Sequence, residues 1–304
     1  MHSLAKFEGD FNTPLFYYYK YNKLMTHRLK DIKLIVIDID GTLVNMHGQV
    51  GEKTLFHAKE LKKLGIFCTL SSARSFFYSS HIAEELDISI PFITLDGALI
   101  KDLKGNVVFK GSLKRKLIDK VIKLSEANYG KVTMCDEHNL FVTPRNAVVK
   151  EYTKLSAPVK EVADFSGVND ILEILVYCED KASLRAIRDN IKFPHTIGIS
   201  LNVTKSPTHE YYLLTIKKKI SDKLASVKRL VKHLGMNRQN VAVIGDWHND
   251  MPLFDYGAYN IAVQNAIPEL KRKADYVTNS TNNEDAVGEV LELVHNYRLK
   301  AKNN

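Results

Sequence analysis

Two short runs of unbroken apolar residues, each ending abruptly in acid, constrain this chain more than any other feature. Leu34-Ile35-Val36-Ile37 runs into Asp38 and Asp40, and Val241-Ala242-Val243-Ile244 runs into Gly245 and Asp246. A β-branched run without polar alternation is the pattern of a strand covered on both faces, which is the condition of a parallel sheet. After the first run the spacing predicts a helix over Glu52 to Leu64, with Leu55, Ala58, Leu61 and Leu64 on one face and Gly65 just past its end. A second strand, Ile66 to Leu70, then leads into Ser71 and Ser72. Strand, helix, strand is a βαβ unit, so the fold class is α/β with a doubly wound parallel sheet. The same grammar returns late in the chain, where Leu224, Val227, Leu230, Val231 and Leu234 form a helical stripe closed by Gly235.

Between these two α/β pieces the pattern changes. Asn106 to Phe109 reads as a hairpin arm, and Val132 to Met134 and Leu140 to Val142 read as strands around a polar turn at Asp136 to Asn139. A strand over Ile171 to Tyr177 and a helix over Lys181 to Ile191 complete an α+β insertion. The expected organisation is an amino-terminal extension (1–30), a catalytic core in two pieces (31–111 and 208–297), an α+β cap (112–207) and a basic tail (298–304). With 304 residues, two domains are the natural expectation. Met25 precedes the first strand closely enough to be an alternative translation start.

Composition narrows the function classes. The chain has no apolar run of membrane-spanning length, and its first thirty residues lack the apolar stretch of a secretory signal, so it is read as cytoplasmic with no membrane partner. Cys68, Cys135 and Cys178 are widely spaced and are read as reduced, half-buried thiols. The net charge of +8 suggests a polyanion partner until its location is considered. Residues 1–30 carry Lys6, Lys20, Lys23, Arg28 and Lys30 against Glu8 and Asp10, and the end of the chain adds Arg298, Lys300 and Lys302. Only +2 is left for residues 31–297, so no nucleic-acid partner is expected.

Asp38 and Asp40 lie two apart at the end of a strand, where extended geometry puts both on one side. Two such carboxylates repel, and a hard divalent cation such as Mg²⁺ resolves the repulsion. Gly41 permits a sharp turn and the Thr42 hydroxyl can hold it. A third acidic group stands in Gly245-Asp246-Trp247-His248-Asn249-Asp250. Taken alone, each string also reads as an ordinary turn. Ligands of open α/β sheets gather at the carboxyl ends of the strands, and three strands here end in Asp38/Asp40, Ser72 and Asp246/Asp250. His248 beside Trp247 reads as packed or solvent-facing rather than as a ligand. Lys223 opens a helix where its charge opposes the helix dipole, while Lys217, Lys218 and Lys219 read as a solvated run.

Together these pieces resemble the haloacid dehalogenase superfamily of phosphohydrolases, most closely its Cof-like subfamily IIB with a large α+β cap. The first motif, DxDGT, stands whole as Asp38 to Thr42, and the fourth, GDxxND, as Gly245 to Asp250. The second stands as Ser72-Ala73-Arg74, and the third motif's lysine falls on Lys223. The resemblance implies Mg²⁺-dependent dephosphorylation of a small metabolite ester, with Asp38 as nucleophile and Asp40 as acid and base. It further implies a metal held by Asp38, the Asp40 carbonyl, Asp246 and Asp250. Phosphoryl oxygens would meet Gly41, Thr42, Ser72, Ala73 and Arg74; Lys223 would span nucleophile and phosphate, and Asn249 would orient Lys223 or Asp250. Two departures stand out: Ala73 replaces a glycine, and Asp96 stands where the family commonly has asparagine, an added charge that needs an offsetting cation. Met134, Asp136, His138 and Arg145 are cap candidates for substrate contact. A sugar phosphomutase or phosphotransferase and a silent regulatory homologue are the alternatives, and oligomeric state is left open.

Overall fold

The computed structural model describes residues 28–144, 158–191, 194–205, 210–219 and 222–302. In chain order the first half comprises β1 (Leu34–Ile37), α1 (Glu52–Lys63), β2 (Phe67–Leu70), α2 (Phe76–Glu85), β3 (Phe92–Thr94), β4 (Leu99–Lys101), β5 (Val107–Lys110), α3 (Arg115–Ala127), β6 (Lys131–Cys135) and β7 (Leu140–Val142). There follow β8 (Val159–Glu161), β9 (Glu173–Cys178), α4 (Lys181–Asn190), β10 (Ile199–Lys205), β11 (Tyr212–Lys218) and α5 (Lys223–His233). The chain ends with β12 (Val241–Gly245), α6 (Met251–Phe254), β13 (Tyr259–Ala262), α7 (Pro268–Lys273), β14 (Tyr276–Val277) and α8 (Ala286–Lys302).

The first sheet has five parallel strands in the order β14-β13-β12-β1-β2. Every residue of β1 and β12 is buried, as the unbroken apolar runs require. The order reverses between β1 and β12, so the loops after these strands splay apart and leave a crevice at their carboxyl ends. The expected helix after β1 ends one residue early, with Leu64 as its cap and Gly65 at φ 73°. That left-handed φ is why glycine stands there.

The second sheet has six strands in the order β10-β11-β9-β6-β7-β8, all antiparallel except β7 with β8. One face is covered by α3 and α4, whose Leu117, Val121, Leu184 and Ile187 meet Met134, Ile174, Val176 and Ile216. The opposite face turns to the α/β body, where Cys135 and Leu172 pack on Leu95, Ala98 and Leu99. β3, β4 and β5 form a small antiparallel sheet between the two pieces, tied to the first by a bridge from Ser71 to Ile93.

Four expectations are corrected. Residue 207 does not end the inserted sheet, because β11 pairs with both β10 and β9 and carries the sheet to Lys218. Residues 298–302 are not a tail: α8 runs to Lys302, and the Arg298 guanidinium donates to the Ile32 carbonyl at 2.5 Å. The three free cysteines are buried rather than half-buried, and burial pushes the Cys68 thiol up to about 12. Lys217 is buried, not part of a solvated run. The expectations for residues 1–27 and for Arg145 fall outside the described residues. No helix among the described residues is long and apolar enough to cross a membrane.

Ile35 is fully buried in the middle of the sheet. Ile35→Ala is expected to cost roughly 2–5 kcal/mol, lost transfer energy plus the cavity left behind, measured as a fall in the urea midpoint at unchanged m-value.

Candidate active site

Asp38 continues the line of β1, its N–H donating to the Ile244 carbonyl at 3.1 Å. Its carboxylate therefore emerges where β1 and β12 part. Lys223, the first residue of α5, comes from a different part of the chain. Its helix is started by the Asp222 side chain, which accepts from the Ala225 N–H at 2.6 Å. The Lys223 ammonium donates to Asp38 Oδ1 and, at 2.7 Å, to Asp250 Oδ1. Asp250 is locked by its own loop, Oδ2 accepting from the N–H groups of Asp246 at 3.1 Å and Trp247 at 3.3 Å. Asp246 Oδ1 accepts from the Thr42 hydroxyl at 2.9 Å. The first and fourth motifs thus meet across a sequence separation of 204 positions.

Gly41 has φ 80°, and a Cβ built there would lie 2.4 Å from Asp246 Oδ2. Both the backbone conformation and the close approach exclude a larger residue. Asn265, which the sequence reading missed, donates to the Gly41 carbonyl at 2.7 Å and steadies this turn. Nothing near Asn265 in the sequence marks that role.

Asp38, Asp246, Asp250 and Lys223 are all buried. Three carboxylates face one ammonium, so the cluster as it stands is short of positive charge. Burial raises the Asp38 carboxyl well above the usual range despite Lys223 beside it. Asp246 is pushed up to about 6, chiefly by burial, with Asp250 adding to the rise and the Thr42 hydrogen bond opposing it. Burial disfavours the Lys223 charge, but Asp38 and Asp250 more than compensate and hold it well above its ordinary value. One oxygen from each of Asp38, Asp246 and Asp250 lies within 4.8 Å of the others. An all-oxygen, charge-deficient set of this kind fits a hard divalent cation such as Mg²⁺.

At the mouth the arrangement differs. The Asp40 side chain is exposed and held by the fork of Arg74, with Nε to Oδ2 at 2.9 Å and Nη2 to Oδ1 at 2.6 Å. Ser72 is buried after β2, its hydroxyl accepting from the Arg74 N–H at 3.1 Å, and Ala73 beside it is exposed. Asn249 and His248 are both exposed, and Lys223 is held by Asp38 and Asp250. Met134 is fully buried in the inserted module's own core and does not face a ligand. Asp136 accepts from the N–H groups of His138 and Asn139, both at 2.6 Å, so it shapes the turn, which lines a cleft opening beside Arg74. The charge of Asp96 is offset by Lys217 Nζ at 2.7 Å.

The profile of the haloacid dehalogenase-like hydrolase family matches residues 35–291. A 5-amino-6-(5-phospho-D-ribitylamino)uracil phosphatase of Bacillus subtilis, YwtE, is 27% identical, the match covering 84% of this chain and 96% of that protein. The chain spans 55% of a longer Streptococcus pyogenes relative, provisionally named a bifunctional phosphatase/peptidyl-prolyl cis-trans isomerase, at 26% identity over 88% of this chain. The fold is similar to that of a haloacid dehalogenase-like hydrolase from Bacteroides thetaiotaomicron, with a TM-score of 0.75, 24% identity and coverage of 86% of this chain and 99% of that one. The chain belongs to the haloacid dehalogenase-like hydrolase family. Within it, the enzyme is a phosphatase of the Cof-like branch.

The raised Asp246 carboxyl has a consequence for stability. Its folded value lies above its unfolded one, so it contributes stability that is complete below about 3.8 and is lost as pH rises through about 6. Relative to Asp246→Asn, the metal-free protein is therefore expected to lose on the order of 3 kcal/mol across that window, and Mg²⁺ to restore it in the wild type alone, read by urea denaturation at several pH values.

Proposed function

We propose that the enzyme hydrolyses phosphate monoesters of small metabolites, with Asp38 attacking phosphorus. The observation that carries this reading is the buried contact of Lys223 with Asp38 and Asp250, beside Asp246. A carboxylate is a serviceable nucleophile once the charge of the phosphoryl group is met. Lys223 fixes one Asp38 oxygen and leaves the other to form the bond to phosphorus. The ammonium also supplies a compact positive charge where the equatorial oxygens of the transition state gather negative charge. A divalent cation held by Asp38, Asp246, Asp250 and the Asp40 carbonyl would neutralise further phosphoryl charge.

As the Asp38–phosphorus bond forms, the ester bond breaks and the leaving oxygen takes a proton from Asp40. Water, deprotonated by the same carboxylate, then releases phosphate and restores Asp38. Both Asp40 oxygens are occupied by Arg74. That fork must open before Asp40 can carry a proton to the leaving oxygen, and an arriving phosphate gives Arg74 an alternative partner of the same planar fit. Ser72 and the backbone amides around Gly41 and Thr42 would donate to phosphoryl oxygens.

The substrate class extends from the relatives. YwtE is named for an ester whose phosphate sits on a ribityl chain. A small phosphorylated polyol or cofactor precursor is the corresponding class here. The test is phosphate release from a metabolite panel. Turnover is expected to require Mg²⁺, to stop with chelator and to fall more than about a hundredfold in Asp38→Asn. Isomer interconversion without phosphate release would instead assign a phosphomutase.

A further inference from the structure

Beyond Arg74, a cleft of about 200 Å³ lies between the α/β body and the inserted sheet. Arg74 and Tyr78 line it from one side, Asp136, Glu173 and Leu175 from the other. Strand alternation places Glu173 in this cleft. Ile174 and Val176 on β9 point into the helix-covered core, so Glu173 and Leu175 point the opposite way.

Glu173 stands directly across from Lys217 in the β11–β9 register. A carboxylate and an ammonium in that relation ordinarily pair across the strands. Here Lys217 reaches over to the α/β body and donates to Asp96 Oδ2 at 2.7 Å. Asp96 is presented by consecutive left-handed residues, Leu95 at φ 51° and Asp96 at φ 49°, followed by Gly97 at φ 104°. Among the described residues, no side chain or backbone group hydrogen-bonds or ion-pairs with the Glu173 carboxyl. Burial pushes Glu173 up to about 7, against the pull of Lys217. The Tyr78 hydroxyl in the same cleft is buried and also lacks a partner. Two unmatched polar groups in an otherwise largely apolar cleft represent hydrogen-bonding capacity waiting for a ligand.

We propose that Glu173 is a specificity-determining residue, accepting a hydrogen bond from a hydroxyl or ammonium group on the organic part of the ester. The Asp96–Lys217 pair keeps Lys217 occupied and so leaves Glu173 free for the substrate. This inference rests on the hydrolase reading above and adds the residue that selects the leaving group.

The experiment compares kcat/KM for a hexitol 6-phosphate, O-phosphoethanolamine and phenyl phosphate, whose organic part has no donor. Ratios taken within one preparation do not depend on how much of it is folded. In Glu173→Leu, the ratio of at least one donor-bearing ester to phenyl phosphate is expected to fall by about thirtyfold, mainly through KM. Glu173→Gln separates the two donors, since an amide oxygen still accepts from a hydroxyl but no longer attracts an ammonium ion. Asp96→Asn, which releases Lys217 toward Glu173, is expected to lower the same ratio. Ratios that stay within about threefold in Glu173→Leu overturn the proposal, and an unchanged ratio in Asp96→Asn overturns the part given to the pair. If no ester is turned over, the hydrolase reading fails separately. Calorimetric binding of the hexitol phosphate and of O-phosphoethanolamine then decides, with equal affinity of wild type and Glu173→Leu for both rejecting the role of Glu173.

Discussion

One buried ammonium holds this site together. Lys223 bridges Asp38 and Asp250, which come from strand ends on opposite sides of the switch in strand order, and Asp246 stands beside them. Burying three carboxylates with a single cation is unfavourable, and the raised Asp38 and Asp246 carboxyls show the cost in the folded protein. The site is built for positive charge that the chain does not itself supply. A divalent cation would answer that deficit, whereas an anionic phosphoryl group would deepen it and so add to the need for the cation. Breaking the bridge at Lys223 would leave buried charges unmatched rather than merely remove one contact.

The sheet makes this possible. β1 lies between β12 and β2, so the chain leaves three adjacent strands at one edge and delivers Asp38, Asp246 and Ser72 to a common crevice. Precision comes from small residues and turns. Gly41 lets the first loop lie against Asp246, Thr42 ties it there, and Asn265 supports its carbonyl. Gly245 plays the same part in the other loop, where a Cβ would lie 2.5 Å from Asp250 Oδ2. The rigid strands position these loops, and the loops carry the chemistry.

The inserted module closes the site from the other side. Its contact with the α/β body combines a small apolar patch, Cys135 and Leu172 on Leu95, Ala98 and Leu99, with ion pairs of Lys217 to Asp96, of Lys110 to Asp170 and Glu137, and of Lys101 to Glu137. β11 carries Lys217 and then leads toward Lys223, so one stretch of chain serves the contact between modules and the buried ammonium of the site. The two motif departures are thereby separated in kind. Ala73 is exposed at the mouth and displaces nothing, whereas Asp96 finds a specific cationic partner.

Much of this was legible in the residues themselves. The runs Leu34–Ile37 and Val241–Ile244 could only be strands buried on both faces, and a doubly wound sheet follows from their βαβ context. The DxDGT and GDxxND strings marked Asp38, Asp246 and Asp250 because strand-end acids in such a sheet converge. Lys223 was visible through the family resemblance, since spacing alone placed it beside a lysine run that looked solvated. Periodicity also recovered β6, β7, β9 and α4 of the inserted module, but not α3, β8 or β10. It failed at β11, whose register with β9 is a pairing between segments far apart in the chain, and at the carboxyl end of α8, which continues to Lys302 where a tail was expected, with Arg298 reaching the distant Ile32 carbonyl. Lys217, Asn265 and Glu173 share that reason. Local patterns report which face of an element is apolar, but which charge meets which across 121 or 224 residues depends on how the modules dock. The chain's own order determined the sheet and its acids; only the packed tertiary structure decided which cation each acid received and which carboxyl was left facing the cleft.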